Sequence, residues 1–551
     1  MGVPNPDRTP RDGTTAARRM ACLAMPCILA LIPVVGMIWV SAPELAPPVI
    51  SVARIVAVLV ATTSLFQLLL RWRPAVVRAN MIGLALLLMG LYPAVRVAAS
   101  SVGIQETWAA GLYLPLCLLS GWSAGRLSAD ATMLLNDILS TVTSVLVVFM
   151  SALVYRVYVR PAPYQPSVQR AIERLSSPLP LRASEDWRPD VYDLVLDGMG
   201  RPDVLERDYR ISLRPQIDEF HAMGFEISAN GHANYVQTQL SLASMLNVGY
   251  LDELASAEGT GRERGPLRDL ISKARVPALF KRLGYRIEFL GSGYLSSGAF
   301  EQADVCDCPQ LWFADAEVGA LSLSPLKVFS GGIGSRAHYD RCMTVFDQFE
   351  RTRTDPAPRF VFAHVPMPHP PFVADERGEY TRSSKPLSGG DGSFYLGSAD
   401  EYKTGYRAQA TFALTRTARA VRRIMEDAAR HHRDVIVIVH GDHGPRLGFD
   451  ALNPQAGSGQ SALPILLAIR WPEGHGRVAD PESLVNVYRA LFGHVFHIDV
   501  PLLPNRSYIS PFDRPYITIP VPSETLRVTV NDARTPRAPV ASYHSTSSGL
   551  K

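Results

Sequence analysis

Five apolar stretches near the N-terminus constrain this chain most, because each is about as long as a helix that crosses a membrane. A spanning helix needs about 20 apolar residues. A cleaved signal peptide would explain only the first stretch. We therefore predict a cytoplasmic tail at residues 1–19 and a transmembrane region of about five helices over residues 20–156. The stretches cover residues 20–41, 50–70, 80–98, 107–123 and 131–154.

The distribution of arginine between the loops predicts the orientation of these helices. The N-terminal tail carries four arginines, residues 71–78 carry three, and the loop after the fourth stretch carries Arg126. The loops after the first and third stretches carry none. Because Lys and Arg are retained on the cytoplasmic side, we expect a cytoplasmic N-terminus. Five crossings then leave the C-terminal part outside the cytoplasm, whereas four would leave it inside.

Charge is uneven along the chain. Residues 1–160 hold 12 arginines and 6 acidic residues, whereas the remaining 391 residues carry a net charge of −2. A nucleic-acid-binding protein shows the opposite, a basic patch on its soluble part, so we exclude a nucleic-acid partner. Arg54 and Asp137 lie near the ends of apolar stretches, where we expect them to reach the membrane surface. The alternative is a site for a lipid headgroup or an ion.

The C-terminal part has the pattern of an α/β domain. Residues 157–190 are rich in Pro, Ser and charge and predict a linker, residues 191–530 predict the domain, and residues 531–551 predict a disordered tail. Continuous apolar runs favour strands buried on both faces. Their alternation with helices predicts a mostly parallel sheet in an α/β/α sandwich. The predicted strands are 192–197, 225–228, 285–291, 359–365, 434–440 and 463–469, and the predicted helices are 213–223, 238–246, 277–283, 402–430 and 481–491.

Acidic and imidazole groups follow two of the predicted strands. The first strand runs into LDGMG (196–200), and the fifth runs into GDHG (441–444). Sites in such sheets lie beyond the carboxyl ends of the strands. Asp and His side chains together suit a divalent metal with mixed oxygen and nitrogen ligands. The two strand ends therefore predict one metal site, although DG alone after a strand is also typical of a plain turn.

These motifs, in this order, resemble the alkaline phosphatase superfamily. Within it they resemble the sulfatase-like branch of lipoteichoic acid synthases and phosphoethanolamine transferases. NYVQTQLSLASMLNVGYL (234–251) contains Thr238 where that branch keeps a threonine nucleophile at a helix N-terminus. HVPMPHPPF (364–372) resembles the segment whose two histidines face the transferred phosphate. The resemblance covers about residues 190–520, and five spans before an extracytoplasmic domain are also typical of those enzymes.

The resemblance implies a site and a mechanism. Thr238 is the implied nucleophile, activated by a metal, and it passes the phospho-group on to a second hydroxyl. The alternative for Thr238 is an ordinary helix N-cap. His364 and His369 are implied to bind phosphate oxygens or to carry protons, with structural loop histidines as the alternative. The implied cofactor is one divalent ion, zinc or manganese, and its implied ligands are Asp197, Thr238, Asp442 and His443.

The sequence thus predicts a multi-pass protein of the bacterial inner membrane whose catalytic domain lies in the periplasm or at the extracellular face. The predicted activity is transfer of a phospho-group, such as phosphoethanolamine or phosphoglycerol, from a phospholipid donor to an envelope glycan or lipid. One alternative is a phosphodiesterase or phosphatase with the same site. Another is a non-catalytic scaffold for envelope assembly.

The cysteines of the exported domain bear on two further expectations. CDCPQ (306–310) lacks the C/S-x-P-x-R context that sulfatases proper need to form formylglycine, so we do not expect a true sulfatase. Disulfides persist outside the cytoplasm. We therefore expect Cys342 to pair with Cys306 or Cys308, with a C-x-C metal site as the alternative.

Overall fold

An apolar helical region precedes an α/β domain, as the sequence predicts. The predicted tail at residues 531–551 lies outside the described residues, as does Cys308, so the disulfide stays a prediction. The computed structural model describes residues 13–41, 49–102, 104, 106–159, 163–180, 187–291, 300–307, 315–351, 356–382, 390–455, 459–474, 478 and 480–528.

The N-terminal region contains seven described helices. Two of them, α3 and α7, are long and apolar enough to cross a membrane, and α7 continues to Val159 as a π-helical turn. The pairs α1–α2 and α4–α5 are bent by 42° and 44°, and counting each pair as one span raises the number to four among the described residues. Helix α6 fills the fourth predicted stretch. The bounds are α1 Gly13–Leu29, α2 Ile32–Ser41, α3 Val49–Leu69, α4 Ala75–Gly90, α5 Tyr92–Ser101, α6 Glu106–Ala124 and α7 Ala129–Val154.

Both bends have a local cause in the sequence. Each break falls just before a proline, Pro33 in α2 and Pro93 in α5. Proline lacks a backbone N–H and its ring clashes with the preceding turn, so it kinks or ends a helix. The first and third predicted stretches are therefore broken helices rather than continuous ones.

The domain is built on a seven-stranded sheet of order β2-β7-β6-β1-β5-β3-β4. The five strands from β6 to β4 in that order are parallel, whereas β7 runs antiparallel to β6 and β2. The short strands β8 and β9 pair separately. The bounds are β1 Asp190–Leu196, β2 Phe225–Ile227, β3 Arg286–Gly291, β4 Val305–Asp307, β5 Arg359–Val365, β6 Val435–His440, β7 Leu467–Arg470, β8 Ser507–Ile509 and β9 Ile519–Val521.

Helices cover both faces of the sheet. Along β1, Val191 and Val195 face one hydrophobic cluster while Leu194 and Leu196 face another, so the strand is buried on both sides. The result is an α/β/α sandwich. Helix α8 lies within the predicted linker and packs Ile172 into the first cluster. The bounds are α8 Pro166–Leu175, α9 Pro202–Val204, α10 Arg214–Ala222, α11 Thr238–Leu246, α12 Asp252–Glu258, α13 Gly265–Ser272, α14 Arg275–Arg282, α15 Asp315–Ser322, α16 Ser330–Phe349, α17 Ala399–Arg430, α18 Gly459–Ala462 and α19 Leu484–Phe496.

One helix of the domain packs against the apolar helices. Ala320 of α15 lies in a cluster with Val35 and Ile38 of α2. Nearby, the Arg54 guanidinium of α3 lies 3.5 Å from the Glu317 carboxylate, and the two side chains are only 15% and 8% exposed. Arg54 therefore pairs with the α/β domain, and its predicted position at the membrane surface stays a prediction.

Candidate metal centre

Two neighbouring parallel strands bring three ligand-type side chains together. Strands β1 and β6 pair side by side, so Asp197 after β1 and the Asp442-His443 pair after β6 meet at one edge of the sheet. All three residues are buried. The Nε2 atom of His443 lies 3.4 Å from Asp197 Oδ1 and 3.6 Å from Asp442 Oδ2. The structure therefore brings together three of the four side chains that the family resemblance assigned to one metal, and the fourth is Thr238.

These three atoms have no hydrogen-bond partner among the described residues. A tetrahedral site with bonds of about 2.1 Å separates neighbouring ligand atoms by about 3.4 Å, close to the spacing seen here. The other atoms of the same side chains are tied: Gly198 N donates to Asp442 Oδ1 over 3.0 Å, and His443 Nδ1 lies 2.8 Å from the carbonyl of Gly444. That contact leaves His443 Nε2 available as a ligand. The arrangement fits a divalent metal.

Close packing of the two turns holds the ligands in place. Gly198 adopts a φ of +77°, which favours glycine. A Cβ at Gly441 would lie 2.3 Å from the carbonyl oxygen of Met199, so no larger residue fits there. The hydroxyl of Tyr406 accepts a hydrogen bond from Gly200 N over 3.0 Å and donates one to Gly198 O over 2.8 Å. Tyr406, which the sequence did not single out, thus fixes the turn after β1.

Both histidines predicted to face the phosphate reach this cluster. His364, near the end of β5, is fully buried, and its Nε2 lies 3.4 Å from Asp197 Oδ2. The rings of His369 and His443 are 5.9 Å apart. Within 4.8 Å of one another lie the ligand atoms of Asp197, His369 and His443, and likewise those of Asp197, His364 and Asp442. Because both groups share Asp197, they form one cluster in which either histidine can complete a ligand set.

Thr238 is the first residue of α11 and is buried. The N-cap position belongs to Gln237, and no side chain caps the helix, so the threonine hydroxyl is not used for capping. One turn on, Ser241 Oγ donates to the backbone carbonyl of Asp442 over 2.7 Å. This hydrogen bond ties the first turn of α11 to the loop that carries the candidate ligands.

The electrostatics of the cluster favour the anionic form of Asp197. Burial raises the pKa of this carboxyl, but His369, His364 and His443 outweigh burial and hold the pKa well below its usual range. A carboxyl group binds a metal only in its deprotonated form. Asp197 is therefore already in the state that a metal ligand needs.

Two charged residues beside the cluster escaped the sequence analysis. The Arg446 side chain is 11% exposed, and its Nε donates to Asp391 Oδ2 over 3.2 Å. Its Nη2 lies 3.0 Å from His369 Nε2. Arg446 stands two residues after GDHG (441–444), and this position could have marked it in the sequence as a residue near the site. Asp391 lies in a Gly/Ser-rich segment that gives no sign of a buried carboxylate.

A family model described as sulfatase matches residues 189–494, which is more than half of the chain. The chain belongs to the sulfatase family. The predicted membership of the sulfatase-like part of the alkaline phosphatase superfamily is thereby confirmed. The match covers the sheet from β1 to β7 and includes every site residue that the sequence predicted. A comparison with curated proteins finds no match to this sulfatase-family chain.

Solved structures similar to this sulfatase-family protein include transferases and sulfatases. The C-terminal periplasmic domain of EcEptC from Escherichia coli, in complex with Zn, is 12% identical, with 61% of this chain and 94% of that chain covered and a TM-score of 0.38. The same domain of phosphoethanolamine transferase EptC from Campylobacter jejuni is 11% identical, with 59% and 95% covered and a TM-score of 0.35. The putative sulfatase yidJ from Bacteroides fragilis is 12% identical, with 61% and 84% covered and a TM-score of 0.36.

Proposed function

We propose that this sulfatase-family protein is a membrane-anchored, metal-dependent phosphotransferase. It moves a phospho-group, such as phosphoethanolamine or phosphoglycerol, from a phospholipid to a glycan or lipid of the cell envelope. The observation that carries the proposal is the convergence of Asp197, Asp442 and His443 beside the N-terminal turn that begins with Thr238. That arrangement joins a candidate metal site to a candidate nucleophile.

Asp197, Asp442 and His443 would hold the ion, and the hydroxyl of Thr238 would be a further ligand. Two carboxylate oxygens and one imidazole nitrogen suit zinc, and manganese is the second choice. When bound, the divalent ion would lower the pKa of a coordinated hydroxyl and polarise a phosphoryl oxygen. His364 and His369 hold phosphoryl oxygens or carry protons.

Thr238 attacks the phosphorus atom of the donor. A bond forms between Thr238 Oγ1 and phosphorus while the bond from phosphorus to the lipid oxygen breaks, and the proton of the threonine hydroxyl passes through the site to the leaving lipid oxygen. The N-terminus of α11 favours the anionic phospho-group, because its backbone N–H groups and helix dipole are positive. An acceptor hydroxyl then displaces Thr238 by the reverse sequence.

The contact between α15 and the apolar helices supports the proposed orientation. Arg54 lies near the start of α3, which follows residues 42–48, a segment without arginine. In the proposed orientation, this contact would lie at the membrane face opposite to the arginine-rich tail. An odd number of crossings gives this arrangement. Five crossings result if α1–α2 and α4–α5 are each one span and α6 is another.

The test uses the full chain in detergent with zinc, a headgroup-labelled phospholipid and an envelope glycan. We expect the wild-type protein to release diacylglycerol and to form labelled glycan, and Thr238→Ala to do neither. Asp340→Asn is the matched control, because Asp340 pairs with the exposed Arg336 in α16 and is 39% exposed. Headgroup release without conjugate, even with acceptor present, would mean that water is the acceptor. Full activity in Thr238→Ala would contradict the proposal.

A further inference from the structure

A buried arginine lies beside the candidate ligands. Arg446 contacts His369, and His369 has its ligand atom within 4.8 Å of those of Asp197 and His443. We infer that Arg446 is an anion-binding residue of this site and holds a non-bridging oxygen of the phospho-group. This inference rests on the proposed function, since it names the residue that binds the substrate's charge.

Arg446 has donors to spare. Its Nε donates to Asp391 Oδ2, its Nη2 contacts His369 Nε2, and its Nη1 lies 3.5 Å from the carbonyl of Val236. Guanidinium has five N–H donors, so two remain for a ligand. A planar guanidinium matches phosphate oxygens in geometry and keeps its charge at any physiological pH. The contact to Val236 also places Arg446 close to the start of the Thr238 helix.

Formal charge gives an independent reason. Asp197, Asp391 and Asp442 are buried carboxylates, with a formal charge of −3 when deprotonated. If all three histidines are counted as neutral, a divalent ion and Arg446 together bring the formal charge of the cluster to zero. Without Arg446 the metal-loaded cluster would carry −1 and would repel a phosphodiester, which itself carries −1. At low dielectric, like charges a few ångströms apart cost far more than in water, so Arg446 permits an anion to enter.

Asp391 is the positioning residue for this arginine. Its Oδ1 accepts a hydrogen bond from Gly392 N over 2.8 Å, which leaves Oδ2 for Arg446. Burial raises the pKa of Asp391, but Arg446, His369 and His443 outweigh burial and lower it. The carboxylate thus stays charged and holds one edge of the guanidinium, while the remaining donors stay available to a substrate.

The experiment measures binding of inorganic phosphate to the zinc-loaded full chain by calorimetry. Hydrogen bonds to charged groups are worth enough that Arg446→Gln should weaken phosphate binding by about 10- to 100-fold. Arg446→Lys keeps the positive charge but loses the planar guanidinium. Its affinity for phosphate should therefore lie between those of the wild-type protein and Arg446→Gln. The matched control is Arg416→Gln, because the Arg416 side chain is also 11% exposed and pairs with carboxylates far from the site.

Zinc content and thermal unfolding are measured on every variant. Retained zinc with weakened phosphate binding in Arg446→Gln, and wild-type binding in Arg416→Gln, supports the inference. Phosphate affinity within twofold of wild type, or loss of zinc as the cause of weaker binding, overturns it. If Arg446→Gln does not fold, the phosphate affinity and zinc content of Arg446→Lys are compared with those of Arg416→Lys, and the same criteria apply. A wild-type protein that neither binds phosphate nor consumes phospholipid would contradict the proposed function itself.

Discussion

At the residue scale, the site concentrates buried polar atoms that make no hydrogen bonds among the described residues. Asp197 Oδ1, Asp442 Oδ2 and His443 Nε2 are buried and face each other without hydrogen bonds. A buried acceptor without a partner costs about 1–3 kcal/mol. A bound cation removes this cost for all three atoms at once. A metal bound there would therefore stabilise the domain as well as take part in the proposed chemistry.

Asp442→Asn tests that coupling. An amide ligand is neutral and binds divalent ions poorly, so we expect this variant to lose most of its zinc. We also expect the rise in unfolding temperature that zinc gives the wild-type protein to disappear. Elemental analysis and thermal unfolding with and without zinc measure both effects. Asp340→Asn, whose carboxylate pairs with the exposed Arg336, should retain the metal and the stabilisation by zinc. Equal zinc content in Asp442→Asn and wild type would refute the assignment.

The sequence was sufficient to point to Asp197, Asp442 and His443 because they directly follow apolar strands, whereas Thr238 was named only through the family resemblance. An apolar strand followed by Gly, Asp and His marks a sheet edge in the sequence alone. Asp391 could not be found in this way, because its burial depends on a loop packing against Arg446. Such contacts between distant segments exist only in the folded chain.

At the element scale, apolar runs revealed strands but not their direction. The run at residues 463–469 predicts a strand, yet the strand starts at Leu467 and runs antiparallel to β6. A continuous apolar run reports burial on both faces, which parallel and antiparallel central strands share. The three-residue strand β4 is too short to give a pattern. The helix predicted over residues 238–246 has the same bounds in the structure, since polar and apolar positions change at both ends.

The contact between α3 and α15 can be measured as a coupled pair. Removing one member of a buried ion pair leaves an uncompensated charge and costs about 3–5 kcal/mol. We expect Arg54→Met and Glu317→Met each to lower the unfolding temperature of the full chain in detergent. The unfolding temperature of the double variant should drop by much less than the sum of the two single drops, because apolar residues replace both charges. Strictly additive losses would show that Arg54 and Glu317 do not interact.

At the scale of the whole molecule, an odd number of membrane crossings requires the two ends of the chain to lie on opposite sides of the membrane. Green fluorescent protein matures in the cytoplasm and stays dark when it is exported unfolded. We expect a fusion of this fluorescent protein to the N-terminus to fluoresce in a bacterial host and a fusion to the C-terminus to remain dark. A periplasmic reporter enzyme fused to the C-terminus should be active. Bright fluorescence from the C-terminal fusion would mean an even number of crossings and would contradict the placement of the catalytic domain.

The proposed orientation would place the candidate site close to its proposed phospholipid substrate. A catalytic domain that packs on the apolar helices through α15 stays close to the bilayer, where a phospholipid donor is concentrated. This proximity raises the effective concentration of the donor without any further binding contact. It also explains why a phosphotransferase of this design would keep a multi-helix anchor.

The most direct test of the central claim is mass spectrometry of the full chain after incubation with zinc and phospholipid, without acceptor, followed by an acid quench. We predict a phosphate-containing adduct on the peptide that contains Thr238, with a mass that identifies the transferred group. The adduct should disappear when an acceptor glycan is added and should never form in Thr238→Ala. Consumption of the phospholipid with an unmodified Thr238, or an adduct on another residue, would contradict covalent transfer through this threonine.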